Sequence, residues 1–121
     1  QARVRAELHL LLRALSKRDW EEAELAVRRV SDDPLQTWTA ERFEAALAGF
    51  FERYEELLFD HASRLADKTI LRKTGGLTWT ATQILNDPEG EESWYLEALV
   101  DLGDVETLEG PIIALTAIGA F

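Results

Sequence analysis

The sequence predicts an α+β fold: three N-terminal helices packed on a curved antiparallel β-sheet of about four strands. Three observations lead there. Apolar residues recur at helical spacing up to about residue 60 and alternate, as in strands, beyond it. Two turn signals divide the alternating half, Thr74-Gly75-Gly76 and Asp87-Pro88-Glu89-Gly90. Helices come first and strands after, which segregates the two kinds of element as α+β proteins do. At 121 residues the chain is expected to be a single domain, with a helical half at 1–59 and a sheet half at 60–121.

The first helix is predicted over residues 2–16, where Val4, Leu8, Leu11, Leu12 and Leu15 make one apolar stripe. Ser16-Lys17-Arg18 breaks it. Asp19 then reads as an N-cap, with Glu22 three residues on completing a capping box. A second helix runs from Trp20 to about Val30 and buries Trp20, Ala23, Val27 and Val30. Pro34 ends that segment, because it cannot continue a helix and restricts Asp33 before it. Thr39 is the next cap, with Glu41 in the favourable first turn. The third helix is predicted from Ala40 to Leu58, where Phe43, Leu47, Phe50, Tyr54 and Leu57 fall on one face.

A polar hinge, Asp60 to Ser63, opens the stranded half. Strand A is expected at 65–73, followed by a turn in which glycine supplies positive φ. Strand B, 77–86, sets Leu77, Trp79, Ala81 and Leu85 on one face and Thr78, Thr80 and Thr82 on the other. Strand C, 93–102, sets Trp94, Leu96, Ala98, Val100 and Leu102 on one face. An acidic loop, Gly103 to Gly110, leads to Pro111 and strand D, Ile112 to about Ile118. If Trp79 and Trp94 both face the core, a four-residue connection at 87–90 pairs Leu77 with Val100, Trp79 with Ala98, Ala81 with Leu96 and Gln83 with Trp94. A three-residue connection would flip one strand relative to the other. The register between strands A and B stays open between a two- and a three-residue turn.

Such a chain can bury roughly two thirds of its unfolded surface, enough for one core. It holds no cysteine, which removes disulfides, thiolate metal sites and Cys nucleophiles together. No apolar run approaches the ~20 residues of a membrane helix, so a membrane is not an expected partner and a cytoplasmic location is expected. The chain opens on Gln1 and contains no methionine, so a piece of a longer protein is expected. The net charge is −10. No Lys or Arg follows Lys73, while nine carboxylates do. Nucleic-acid affinity comes mostly from neutralising phosphates. Nucleic acid is therefore not an expected partner of this domain by itself. Any contact would fall to Arg3, Arg5, Arg13, Lys17, Arg18, Arg28 and Arg29, whose simpler role is on solvated helix faces beside Glu.

No phosphate-cradling loop with Lys, HExxH, calcium loop or Gly-x-Ser-x-Gly is present, and no cofactor, metal or catalytic residue is assigned. Neither His9 nor His61 has a second His or a carboxylate three or four residues away. Asp60 beside His61 can form an acid–base pair, though an exposed turn is the simpler reading. Tyr54, Trp79, Gln83 and Trp94 are candidate pocket-lining residues between the third helix and the sheet; the simpler reading is a filled core. Ile84, Tyr95 and Leu99, on the sheet face away from Trp79, are a candidate interaction surface.

Helices followed by a curved antiparallel sheet resemble the cone-shaped nuclear transport factor 2-like superfamily, which hosts isomerases, dehydratases and non-catalytic modules. A closer resemblance lies in RAELHLLLRALSKRDWEEA, WTAERFEAAL and TWTATQILNDPEGEESWYLEALVDL. These strings are similar to the C-terminal region of a bacterial DEAD/DEAH-box helicase family, a region usually described as a domain of unknown function. The similarity covers most of residues 5–102. None of the helicase's own motifs is present. By the resemblance, ATP hydrolysis and strand separation belong to a separate N-terminal part of the parent chain.

Two functions are therefore expected to compete. One is a non-catalytic accessory domain that packs on the motor or recruits a protein partner, with a homodimer through the sheet as one form. The other is a free-standing small-molecule-binding protein or enzyme, isomerase- or dehydratase-like, using the helix–sheet pocket.

Overall fold

The computed structural model describes residues 2–28, 37–59, 68–101 and 112–121. Among them, the helices α1 (Ala2–Ser16), α2 (Trp20–Leu25), α3 (Ala40–Ala46) and α4 (Ala48–Arg53) precede four strands. These are β1 (Thr69–Gly75), β2 (Thr78–Leu85), β3 (Trp94–Asp101) and β4 (Ile113–Ala120). The strands form one antiparallel sheet in sequence order, so each hairpin pairs neighbours. The α+β class and the four-stranded antiparallel sheet are as expected.

The caps behave as local chemistry dictates. Asp19 accepts the Glu22 N–H and Thr39 accepts the Arg42 N–H, each relieving one orphan donor of a helix start. The Asp19 N–H donates to Ala14 O at 3.0 Å rather than to the Glu22 side chain, so the expected capping box closes on one side alone and α2 is tied to the end of α1. The α1 stripe is buried throughout, at Val4, Leu8, Leu11, Leu12 and Leu15. It meets Phe43 of α3, Phe50 of α4 and Leu47 between them, and Leu85, Leu96, Ile113 and Leu115 from the inner face of the sheet, in a single core.

Several expectations are corrected. The second helix stops at Leu25 rather than near Val30: the Ala26 N–H bonds back only three residues, and the Arg28 N–H donates to Ile113 O on β4. Pairing with the sheet edge draws the chain out of the helix there. The third helix is two helices, interrupted at Leu47 (φ −98°, ψ 2°), and it ends at Arg53 rather than Leu58. Tyr54 is extended (φ −126°, ψ 145°), and the Leu58 N–H bonds Asn86 O in an isolated bridge beside β2. Tyr54 and Leu57 are buried as expected, but from extended chain. Burial is what the apolar spacing reports; the tertiary partners decide the backbone.

In the sheet, strand A is described from Thr69 and runs on through Gly75, which pairs with Thr78 across an irregularity after Lys73. Gly76, at φ 44°, turns the chain. Leu77, expected inside, sits in that turn and is exposed. β2 and β3 keep the expected facing but are shifted by two residues: Trp79 pairs with Val100, Ala81 with Ala98, Gln83 with Leu96 and Leu85 with Trp94. The connection is Asn86 to Ser93, twice the expected length. β4 continues to Ala120, past the expected Ile118. Trp79 and Trp94, expected in the core, are partly buried and pack against its margin. Trp94 stands edge-on to Phe50 at 5.7 Å. A Cβ at Gly49 would come within 3.3 Å of the Trp94 ring. Asp60, His61, Arg29, Val30, Pro34, Leu102 and the Gly103–Gly110 loop lie outside the described residues.

Candidate functional site

Strand alternation and register together build the outer face of the sheet. One row across it is Arg72, Thr80, Leu99 and Ala114. The next is Ile70, Thr82, Glu97 and Ala117, and the third holds Ile84, Tyr95 and Gly119. The three expected surface residues are thus brought together on this face: Ile84 directly opposes Tyr95, and Leu99 lies two rows along the same strand. Thr80 and Thr82 share the face, half-buried. The face extends further than the sequence suggests. Ile70 is 53% exposed, Leu99 42% and Phe121 75%. The Phe121 ring stands 4.8 Å from that of Tyr95. Its N–H is held by Ser93 O, which continues the ladder beyond β4. The Glu97 carboxylate leans toward β4, accepting from the Thr116 hydroxyl at 3.2 Å.

The four candidate pocket residues lie on or near the inner face. Gln83 is fully buried and its carbonyl accepts from Thr69, also buried. The Tyr54 hydroxyl donates to Glu91 at 2.7 Å and lies 3.1 Å from the Ser93 hydroxyl. The Ser93 hydrogen bond pulls the Tyr54 phenol down. The Glu91 hydrogen bond, burial and the Asp87 and Glu91 charges outweigh it, and the phenol titrates above its ordinary value of 10.0. Trp79 and Trp94 fill space beside them.

The chain matches the model of a family described as Domain of unknown function (DUF3516) over residues 1–118. It belongs to that family. No curated protein and no solved structure matches it.

The hairpin between β2 and β3 of this DUF3516 chain carries a residue that sequence reasoning misses. Asp87 reads as the first residue of a turn, yet its carboxylate is buried and accepts three backbone N–H bonds, from Glu89, Glu91 and Glu92, at 2.9–3.0 Å. An Asp that bonds the backbone two residues on is a known turn device, and that is the available signal. The loop is then clipped to α4 by Arg53, which pairs with Glu89 at 2.7 Å and Glu91 at 2.8 Å, while Lys68 pairs with Glu92. These contacts hold structure together rather than presenting a reactive group.

The basic residues of the helical half of this DUF3516 domain are partly spoken for. Arg3 pairs with Glu7, and Arg18 lies over the Phe51 ring at 4.1 Å while donating to Glu55 O. A shallow cleft of about 290 Å³ lies beside Arg18, Asp19, Trp20, Glu21, Glu41 and Glu44, and no motif in the sequence points to it. Among the described residues no cluster of three His, Asp or Glu side chains is placed to hold a metal.

Proposed function

We propose that this domain is a non-catalytic interaction module, the C-terminal part of a bacterial helicase-like ATPase, and that it works in the cytoplasm through the outer face of its sheet. The observation that carries the reading is the apolar character of that face: Ile84 and Tyr95 sit side by side, with Ile70, Leu99 and Phe121 well exposed around them. Monomeric proteins rarely leave large contiguous apolar patches bare. The helicase parentage rests on the residue strings quoted above. The fold is proposed to be of the cone-shaped nuclear transport factor 2-like kind, in keeping with helices laid on one face of an antiparallel meander.

The competing small-molecule reading has no observation in its favour. Its residues Tyr54 and Gln83 have partners within the protein, and Trp79 and Trp94 pack against the core.

The test is made in the parent protein. Tyr95→Glu combined with Leu99→Glu should lower its activity or release its partner while leaving the melting temperature within a few degrees, because surface changes usually move stability by no more than about 0.5 kcal/mol. Unchanged activity together with unchanged association would remove this face from the function. In a second measurement, the purified chain of residues 1–121 should turn over no ATP above a heat-killed control. Turnover would make the domain catalytic and end the proposal.

A further inference from the structure

We propose that two copies of this chain dock face to face through the outer sheet surface, related by a two-fold axis running along the seam between β2 and β3. This rests on the interaction-module reading and names its partner as a second copy.

The argument is one of shape and charge read from the register. The two edge strands of the face differ in bulk. β1 presents Ile70 and Arg72, while the same rows on β4 end in Ala117 and Ala114, and the next in Gly119. A two-fold axis along the central seam carries β1 of one copy over β4 of the other. Large residues then meet small ones at both edges. The same operation lays Ile84 over the partner's Tyr95 and Thr80 over the partner's Leu99, with Thr82 over the partner's Glu97 in the row between them. Because the axis follows the strand direction, the two sheets stack in the aligned manner of β-sandwiches, modified by their twist.

Charge fits the same arrangement. The chain carries −10, which opposes self-association in general. On this face the register sets Arg72 on β1 and Glu97 on β3, with Asp101 at the far end of β3 opposite Thr78. The Glu97 carboxylate is held toward β4 by Thr116. That is the strand over which the partner's Arg72 comes to lie. Each dimer would therefore contain two such cross-contacts.

The area sets the strength. Four strands ~4.8 Å apart and ~25 Å long give a footprint of roughly 500 Å² per copy. That is below the ~800 Å² per partner of a standard interface, so the dimer should be weak, with a dissociation constant in the micromolar range.

Sedimentation equilibrium of the purified chain at ~100 μM and ~0.15 M salt should show a monomer–dimer equilibrium. Arg72→Glu alone and Glu97→Arg alone should each weaken self-association by about tenfold or more, since each sets like charges opposite at two places. Mixing the two variants should restore a dimer. One cross-contact then joins the two reversed charges, and the other joins the native Arg72 of one variant to the native Glu97 of the other. Recovery on mixing also shows that both variants are folded. A monomeric wild-type chain under these conditions overturns the proposal. So does a dimer indifferent to both single changes, or a pair of variants that stays apart when mixed. A monomeric result leaves the interaction-module reading standing, since that one is decided by the activity of the parent protein.

Discussion

Phe50→Ala is expected to lower the unfolding free energy by about 3–5 kcal/mol, the usual loss for a large aromatic deleted from a core. Phe50 is fully buried and sits at the centre of an aromatic group, with ring centroids at 4.9 Å from Tyr54, 5.3 Å from Phe51 and 5.7 Å from Trp94. It is where α4 meets the sheet. Truncation removes its own burial and leaves its neighbours facing a void. Chemical denaturation of the variant should show a lower midpoint with the slope unchanged. A loss below about 1 kcal/mol would mean that the core collapses around the gap, or that the ring is not where the packing places it.

Asp87→Ala should cost about 3 kcal/mol, although it changes a loop residue in a highly acidic chain. Its carboxylate satisfies three backbone N–H groups, and a buried donor left without a partner costs about 1–3 kcal/mol. Water can reach some of them after the substitution, because Glu89, Glu91 and Glu92 are themselves exposed, so the three losses will not add in full. Asp87→Asn tests the mechanism. It keeps the shape and one acceptor oxygen but loses the charge assistance, and should fall between wild type and Ala. If net acidity were the controlling factor, both substitutions would stabilise the domain instead. Thermal unfolding of the two variants separates the alternatives.

These two residues also show what is legible in the sequence and what is not. Phe50 belongs to a stripe at helical spacing, and its burial follows from that spacing alone. Asp19 and Thr39 are readable because a cap is settled by the few residues around it. Strand alternation places Ile84, Tyr95 and Leu99 on one face, because facing needs only parity. Register needs the length of the connection, and there the local reading fails. Pro88 and Gly90 suggest a tight turn. The Asp87 carboxylate instead gathers the backbone of the residues after it into an eight-residue loop, Asn86 to Ser93. Tyr54 looks helical by its spacing. Its extended backbone answers to Glu91 and Ser93, 37 and 39 residues away, which no window along the chain contains. Of the outer face, Ile70 and Phe121 escape a sequence reading because their relevance depends on which strands lie beside them.

Glu7 on α1 gives the domain a particular order of assembly. Its carboxylate accepts the backbone N–H groups of Ile112 and Ile113 at 2.7 and 3.3 Å, across 105 and 106 positions of sequence. The strands themselves pair only with their neighbours in the chain, so the hairpins can close one after another as they leave the ribosome. The first helix has no such freedom. Within the domain it comes first along the chain, yet the segment whose N–H groups its carboxylate accepts comes last. Until that segment emerges, the Glu7 carboxylate lacks the two backbone N–H donors that fix α1 to the end of the sheet, so the helix can be anchored there only after the last hairpin has formed.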